Sequence, residues 1–125
     1  MRPALLVYDD RDSVPLLRAI LEAEGLHTRL APKDVRAAEA LAPEAPALVV
    51  IDVAGPLARG LPFLQALRLD RRERREVLIL ATELDTETVI RARHAGATCC
   101  IGKPVSRPML ADAVTRLARK AFAAR

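Results

Sequence analysis

Short apolar runs alternate with amphipathic stretches along the whole chain. Three runs are almost purely apolar, as expected for strands that are buried on both faces of a sheet. They are Ala4–Tyr8, Ala47–Asp52 and Val77–Ala81. Two weaker runs, Thr28–Ala31 and Thr98–Ile101, predict one further strand each.

The segments between these runs have apolar residues at helical spacing. Ser13 can cap a first helix, which tolerates Pro15 in its first turn and is expected to stop at Gly25. Its apolar face is formed by the following residues: Val14, Leu16, Leu17, Ile20 and Leu21. Four more helices are predicted near Asp34–Leu41, at Leu61–Leu69, at Asp85–Ala95 and from Ser106 onward.

Five strands alternating with five helices, without a linker or a repeat, predict a single α/β domain over residues 1–125. Strands that are separated by helices form a parallel sheet, with the helices packed on both faces. In such a doubly wound sheet, ligands bind at the carboxyl ends of the strands. The side chains at those ends are therefore the candidate functional residues.

Composition limits the class of protein. The chain has 125 residues, of which 51% are apolar and 29% are charged, so it can form one globular core. No apolar run approaches the roughly 18 residues of a membrane span, and the stretch after Met1 is too short for a secretory signal. We therefore expect a cytoplasmic protein. The adjacent Cys99 and Cys100 are expected to be reduced thiols, because neighbouring Cα atoms are too close for an unstrained disulfide.

The net charge of +4 raises the question of nucleic-acid binding. Aromatic residues make up only 2% of the chain, so base-stacking platforms are not expected. The densest basic run, Arg71–Arg75 with Arg68 before it, is interpreted as a solvated helix end and loop. Docking on an acidic partner is the alternative, and direct nucleic-acid binding is not expected.

Polar side chains stand at the carboxyl ends of four predicted strands. Asp9 and Asp10 follow the first, Asp52 ends the third, Thr82 follows the fourth and Lys103 lies just beyond the fifth. Two like charges 4 Å apart cost about 4 kcal/mol at an effective dielectric of 20, so three carboxylates here need a cation or protons. Oxygen ligands without histidine or thiol favour Mg²⁺ over Ca²⁺ or Zn²⁺. A lysine beside such a site indicates binding of a phosphoryl group.

These residues, in this order and spacing, resemble the CheY-like receiver domain of two-component response regulators over nearly the whole chain. The matching segments are Leu6–Asp10, Val49–Asp52 with Pro56 and Gly60 beyond it, Leu78–Thr82, Gly96–Ala97 and Lys103–Pro104. The resemblance implies a flavodoxin-like sheet with strand order 2-1-3-4-5. It also implies a cytoplasmic phosphorelay switch rather than an enzyme, since such a domain promotes only its own phosphorylation and dephosphorylation.

The resemblance also implies a role for each site residue. Asp52 would be the phosphorylation site, and Asp10, Asp52 and the backbone carbonyl of Ala54 would bind Mg²⁺ directly. Asp9 would act on the metal partly through water. Lys103 would pair with one phosphoryl oxygen. The Lys103–Pro104 peptide bond would be cis. Thr82 would bind another phosphoryl oxygen and move toward it.

The implied partners are a sensor histidine kinase or a phosphotransfer protein upstream, and an effector protein or fused output domain downstream. A homodimer stays open, whereas membrane and nucleic-acid contacts are not implied. The alternative is a pseudo-receiver that acts as an interaction module without phosphorylation. A flavin or nucleotide enzyme on a similar sheet is disfavoured because no glycine-rich phosphate loop follows any strand.

Several positions depart from the family pattern. Cys100 stands where an aromatic switch residue is usual, and we expect it to pack as a small hydrophobe rather than to act as a thiol sensor. Gly55 replaces a common methionine and loosens the loop after Asp52. Glu83 replaces a small residue and is expected to point outward, the alternative being that it repels the phosphate. Ala54 and Leu84 carry no group that orients water, so slow self-dephosphorylation is expected.

Overall fold

The computed structural model describes residues 2–34, 36, 46–67 and 75–123. Its five strands form one parallel sheet in the order β2-β1-β3-β4-β5. The strands are β1 (Arg2–Tyr8), β2 (Leu26–Pro32), β3 (Leu48–Pro56), β4 (Glu76–Glu83) and β5 (Cys99–Gly102). The predicted strands, strand order and parallel pairing are confirmed, with bounds that differ by a few residues.

The described part of the chain contains four α-helices. They are α1 (Val14–Ala23), α2 (Leu61–Leu67), α3 (Thr86–His94) and α4 (Arg107–Phe122). A further helix, predicted near Asp34–Leu41, lies outside the described residues apart from positions 34 and 36. The last two residues of the predicted Leu61–Leu69 helix and most of the basic run before Arg75 also lie outside them. None of the four helices is long and apolar enough to cross a membrane.

Alternate residues of the central strands face two separate apolar clusters, which explains why these strands are apolar throughout. On one face, Val49 and Ile51 of β3 belong to the same cluster as Phe63 of α2 and Ala92 of α3. On the other face, Val50 clusters with residues of α1 and α4, among them Leu17, Ile20, Leu21, Leu110, Val114 and Leu117. Helices therefore cover both faces, and the polar strand ends are left at one edge of the sheet.

The start of α1 differs from the prediction. The Ser13 side chain makes no capping hydrogen bond. Instead, Asp10 Oδ1 accepts a hydrogen bond of 3.0 Å from the Asp12 amide and caps a short 3-10 turn at Arg11–Ser13 that leads into the helix. The predicted apolar face is also too wide, because the Leu16 side chain is 52% exposed.

The later helices begin as the capping rules require. Asp85 is the cap of α3 rather than its first residue, with Oδ1 accepting a hydrogen bond of 2.7 Å from the Thr88 amide. Ser106 caps α4 through a hydrogen bond of 3.2 Å from the Met109 amide. Beyond α3, the chain turns at Gly96 with φ +114°, a left-handed conformation that glycine adopts without steric cost.

Candidate functional site

Asp52 lies in the middle of β3, just before the pairing with β4 becomes irregular after Val53, and is fully buried, with 0% of its surface exposed. Its Oδ1 accepts a hydrogen bond of 2.8 Å from Lys103 Nζ, which reaches it from beyond the end of β5. The Lys103 side chain is 23% exposed, so the ion pair lies at the border between core and solvent. The Lys103–Pro104 peptide bond is cis, as the resemblance implies.

The second oxygen of the Asp52 carboxylate is in a different situation. Asp52 Oδ2 is buried and has no hydrogen-bond partner among the residues that the structure describes. A buried carboxylate oxygen without a partner is costly, because it has lost its hydration and gained nothing in return. This oxygen is therefore the atom of the site that is ready to accept a cation or to form a new bond.

Asp9 and Asp10 are exposed after β1 but have different partners. Asp9 Oδ2 accepts a hydrogen bond of 3.0 Å from the Ala54 amide, which ties the end of β1 to the irregular last part of β3, Ala54–Pro56, called here the loop after Asp52. Asp10 Oδ1 accepts its hydrogen bond from the Asp12 amide. Within the described residues, no three acidic, histidine or cysteine side chains are arranged as a ready-made metal site. The predicted convergence of three carboxylates on one ion thus stays a prediction that needs side-chain rearrangement.

The residues present nevertheless fit a hard cation. They offer the unpartnered Oδ2 of Asp52, two exposed carboxylates within the same strand-end edge, and no histidine or thiol among the predicted ligands. Oxygen donors of this kind suit Mg²⁺. Neutralisation by a divalent ion would also remove the desolvation cost of the buried carboxylate oxygen.

Thr82 is exposed in the last part of β4. Its Oγ1 accepts a hydrogen bond of 3.3 Å from the Gly55 amide, so the β3 and β4 ends are bridged beside Asp52. Gly55 has φ +105°, which places it in the left-handed region that favours glycine. The hydroxyl predicted to bind a phosphoryl group is thus engaged with the loop after Asp52.

The backbone carbonyl of Ala54, predicted to bind Mg²⁺, accepts a hydrogen bond of 3.2 Å from Arg59 Nη1. The backbone carbonyl of Arg59 in turn accepts one of 3.3 Å from Lys33 Nζ, after β2. Sequence reasoning missed both basic residues. Arg59 comes five residues after Ala54, in the 3-10 turn Leu57–Gly60, and the sequence carries no signal for a contact between the two.

The two cysteines face opposite sides of the sheet. Cys99 packs against the cluster that contains Val50, and Cys100 packs against the cluster that contains Ile51. Both are free thiols. Burial raises the pKa of the Cys100 thiol, with a smaller contribution from Cys99, while Arg93 lowers it. Cys100 thus packs as a small, protonated side chain, in agreement with the expectation of a packed hydrophobe.

Two further departures lie at the end of β4. Glu83 is exposed, which agrees with an outward orientation. Leu84 is 38% exposed and lies over Gly102, where an added Cβ would be 3.3 Å from Leu84 Cδ1. The site is therefore bordered by an apolar side chain on the β5 side, next to Lys103.

Comparison with known proteins agrees with this arrangement. The family model of the response regulator receiver domain matches residues 4–115. None of the curated proteins compared with the chain matches it significantly in sequence.

Solved structures with the same fold are numerous, and three illustrate the range. A CheY-like response regulator receiver domain protein from Methanospirillum hungatei JF-1 has a TM-score of 0.80 at 20% identity, over 97% of this chain and 96% of that one. NtrX from Brucella abortus, in complex with ADP, has a TM-score of 0.76 at 28% identity, over 97% of this chain but only 27% of that one. The NtrC4 receiver domain, as a beryllofluoride-activated dimer, has a TM-score of 0.79 at 25% identity, over 97% and 99%.

Proposed function

The chain belongs to the receiver domains of response regulators, and from this premise we propose that Asp52 accepts a phosphoryl group from a histidine kinase or a phosphotransfer protein. The observation that supports it is the Asp52 carboxylate itself. One oxygen is held by Lys103 at 2.8 Å, and the other has no partner among the described residues. A carboxylate that is fixed on one side and unsatisfied on the other is poised to act as a nucleophile.

The proposed reaction needs positioning and charge neutralisation more than it needs a base. A carboxylate oxygen of Asp52 attacks phosphorus, the bond from phosphorus to the donor imidazole nitrogen breaks, and an aspartyl phosphate forms. The transition state is loose, with charge on the three phosphoryl oxygens. Lys103 supplies a positive charge next to the attacking group, where it can pair with one of those oxygens. Such a domain promotes only its own phosphorylation and dephosphorylation, so it is a switch rather than an enzyme.

Receiver domains bind Mg²⁺ at their acidic pocket, and we propose the same for this chain. Asp10, Asp52 and the carbonyl of Ala54 would hold the ion, with Asp9 acting through water. The ion would neutralise charge on the phosphoryl oxygens. Asp9 contributes in addition through its hydrogen bond to the Ala54 amide, which fixes the loop that follows Asp52.

Because Asp52 is 0% exposed, a donor has to reach it through a rearranged edge of the sheet. The Thr82–Gly55 hydrogen bond is an exposed contact of 3.3 Å and is an inexpensive one to break. If the Thr82 hydroxyl left the Gly55 amide and bound a phosphoryl oxygen, phosphorylation would change the positions of two segments, the loop after Asp52 and the end of β4. A free-energy difference of about a few kcal/mol between two arrangements of these segments is enough for such a switch.

The proposed output is a change in the surface presented to a downstream effector protein or to an output domain in the same polypeptide. Brucella NtrX, of which this chain covers only 27%, illustrates a chain much longer than the part that matches this one. The NtrC4 receiver domain, a dimer when activated by beryllofluoride, motivates a homodimer as one form of output. We propose a cytoplasmic location, where such kinases present their phosphohistidine.

Slow self-dephosphorylation is part of the proposal. Ala54 and Leu84 flank the site without a group that can orient water, and Leu84 covers Gly102 beside Lys103. The aspartyl phosphate is therefore expected to persist after the donor is removed. Its decay is followed by intact mass after desalting, and a half-life of only seconds would contradict this expectation.

The alternative is a pseudo-receiver that signals by binding alone. Two observations favour it: the complete burial of Asp52 and the Arg59 guanidinium on the carbonyl that would bind Mg²⁺. In that case the Asp52–Lys103 pair would be a structural ion pair.

The deciding experiment is incubation with acetyl phosphate, or with beryllofluoride, in the presence and absence of Mg²⁺. Intact mass reports the phosphoryl adduct, and amide NMR reports the beryllofluoride complex. A Mg²⁺-dependent adduct in the wild-type protein that is missing in Asp52→Asn supports the phosphoacceptor. A folded wild-type protein that forms no adduct supports the pseudo-receiver.

A further inference from the structure

Arg59 places a positive charge on the atom that the proposed Mg²⁺ site requires. Its Nη1 donates to the Ala54 carbonyl at 3.2 Å, and Ala54 is the second residue after Asp52. Arg59 is exposed and belongs to a 3-10 turn rather than to the sheet, so its side chain is free to take more than one position. The arginine thus contacts the site from the 3-10 turn after β3, whereas Lys103 contacts it from beyond β5.

The loop is built so that the arginine can fold back over it. Gly55 has no side chain and has φ +105°, and a Cβ added there would be 3.4 Å from Arg59 Nη1 and 3.7 Å from its Cζ. A longer side chain at position 55 would occupy the space that the guanidinium uses. Lys33 donates to the Arg59 backbone carbonyl at 3.3 Å and holds the turn close to the end of β2.

We infer that Arg59 is a built-in competitor of Mg²⁺, a residue that sets the metal affinity of the site by occupying the Ala54 carbonyl when the ion is absent. A guanidinium is always charged, and it cannot remain on a carbonyl oxygen that also contacts a divalent cation without strong repulsion. Mg²⁺ binding therefore requires Arg59 to leave. This inference rests on the proposed metal site, and it adds a specificity-determining residue that lies outside the predicted ligand set.

The competition has a measurable size. Exposed ion contacts contribute little, so loss of the Arg59 charge and hydrogen bond is expected to strengthen Mg²⁺ binding by about 2- to 5-fold. Arg59→Gln removes the charge and keeps a polar side chain. Arg11→Gln is the matched control, because Arg11 is an exposed arginine next to Asp10 whose guanidinium contacts the Tyr8 ring and hydroxyl instead of the Ala54 carbonyl.

The experiment is an amide NMR titration with MgCl₂ at constant ionic strength on wild-type protein, Arg59→Gln and Arg11→Gln. Dissociation constants come from the shifts of the Asp9, Asp10 and Ala54 amides, so no phosphorylation is needed. The Arg59 side-chain NεH signal, assigned by its loss in Arg59→Gln, reports on displacement of the guanidinium. Amide dispersion in the same spectra shows that each variant is folded.

The inference predicts tighter binding in Arg59→Gln, a change of less than about twofold in Arg11→Gln, and a shift of the Arg59 NεH signal as Mg²⁺ binds. Equal affinities in wild-type protein and Arg59→Gln would overturn it while leaving the metal site intact. An equal gain in both variants would overturn it as well, since any nearby charge would then have the same effect. Absence of Mg²⁺ shifts in all three folded proteins would overturn the metal site and the inference together.

Discussion

Lys103 Nζ lies 2.8 Å from Asp52 Oδ1 and so connects the end of β5 to β3 across the intervening strand β4. The carboxylate is almost completely buried, whereas the lysine side chain is 23% exposed. The lysine is therefore the partner that keeps an otherwise unsolvated charge inside the protein.

Lys103→Met is expected to lower the free energy of unfolding by about 2–4 kcal/mol, because it leaves a buried carboxylate without its counter-charge. The double variant Asp52→Asn with Lys103→Met is expected to recover part of this loss, since no buried charge remains. Urea unfolding followed by circular dichroism measures both. The exposed Lys120 provides a control in Lys120→Met, and equal stabilities of the two lysine variants would contradict the prediction.

Thr82→Ala is expected to change stability by less than about 1 kcal/mol, because the hydrogen bond from the Gly55 amide is exposed and 3.3 Å long. Its effect on switching is expected to be large. Beryllofluoride should shift the Gly55 amide signal strongly in wild-type protein and in Thr82→Ser, which keeps the hydroxyl, but weakly in Thr82→Ala. A full shift in Thr82→Ala would show that the hydroxyl does not couple the two loops.

Cys100 gives a pH-dependent prediction. Burial raises the pKa of its thiol above the ordinary value of 9.0, so the folded protein holds this proton to a higher pH than the unfolded chain does. The unfolded state then binds fewer protons, and the free energy of unfolding falls as the pH rises above 9.0. In Cys100→Ala this contribution to the pH dependence is expected to disappear.

The same property predicts low thiol reactivity. At pH 7–8, Cys100 is expected to react with iodoacetamide more slowly than a cysteine in an unstructured peptide, because little thiolate is present. Peptide mass spectrometry after timed alkylation measures the rate. Alkylation faster than that of the peptide thiol would favour the thiol-sensor interpretation of this position.

Gly60→Ala tests the packing beneath the loop after Asp52. A Cβ at this buried position would be 3.0 Å from Val53 Cγ2, and Val53 is a β-branched residue that is 0% exposed, so neither atom can move easily. Overpacking of this kind is expected to cost about 1–3 kcal/mol of stability.

Gly102→Ala is the matched variant for this test. Its Cβ would meet only the end of the partly exposed Leu84 side chain, at 3.3 Å. Thermal unfolding is expected to show a clear decrease in melting temperature for Gly60→Ala and a smaller one for Gly102→Ala. The reverse order would mean that the core beside Val53 relaxes more readily than the edge beside Leu84.

The strands and helices were predictable from the sequence because their signals are local. Purely apolar runs such as Ala47–Asp52 report burial on both faces, and glycine or a capping side chain sets the ends of α3 and α4. The local signal failed at the start of α1, where Asp10 and Ser13 are both acceptable caps. Which of them caps depends on the path of the chain out of β1.

The strand order and the edge on which the polar residues lie followed from general rules for parallel sheets and from the family resemblance. These rules placed Asp52, Thr82 and Lys103 at neighbouring strand ends without any knowledge of distances. The sequence alone therefore determined the fold class, the candidate residues and the edge of the sheet at which they meet.

Only the tertiary structure decided how those residues share their hydrogen bonds. A side chain with several acceptors chooses among partners that are far apart in sequence, and the choice depends on positions within a fraction of an ångström. The structure assigns Lys103 to one oxygen of Asp52, Asp9 to the Ala54 amide and Thr82 to the Gly55 amide. It also brings Arg59 onto the Ala54 carbonyl, a contact that required the left-handed turn at Gly55 and that no spacing rule contains.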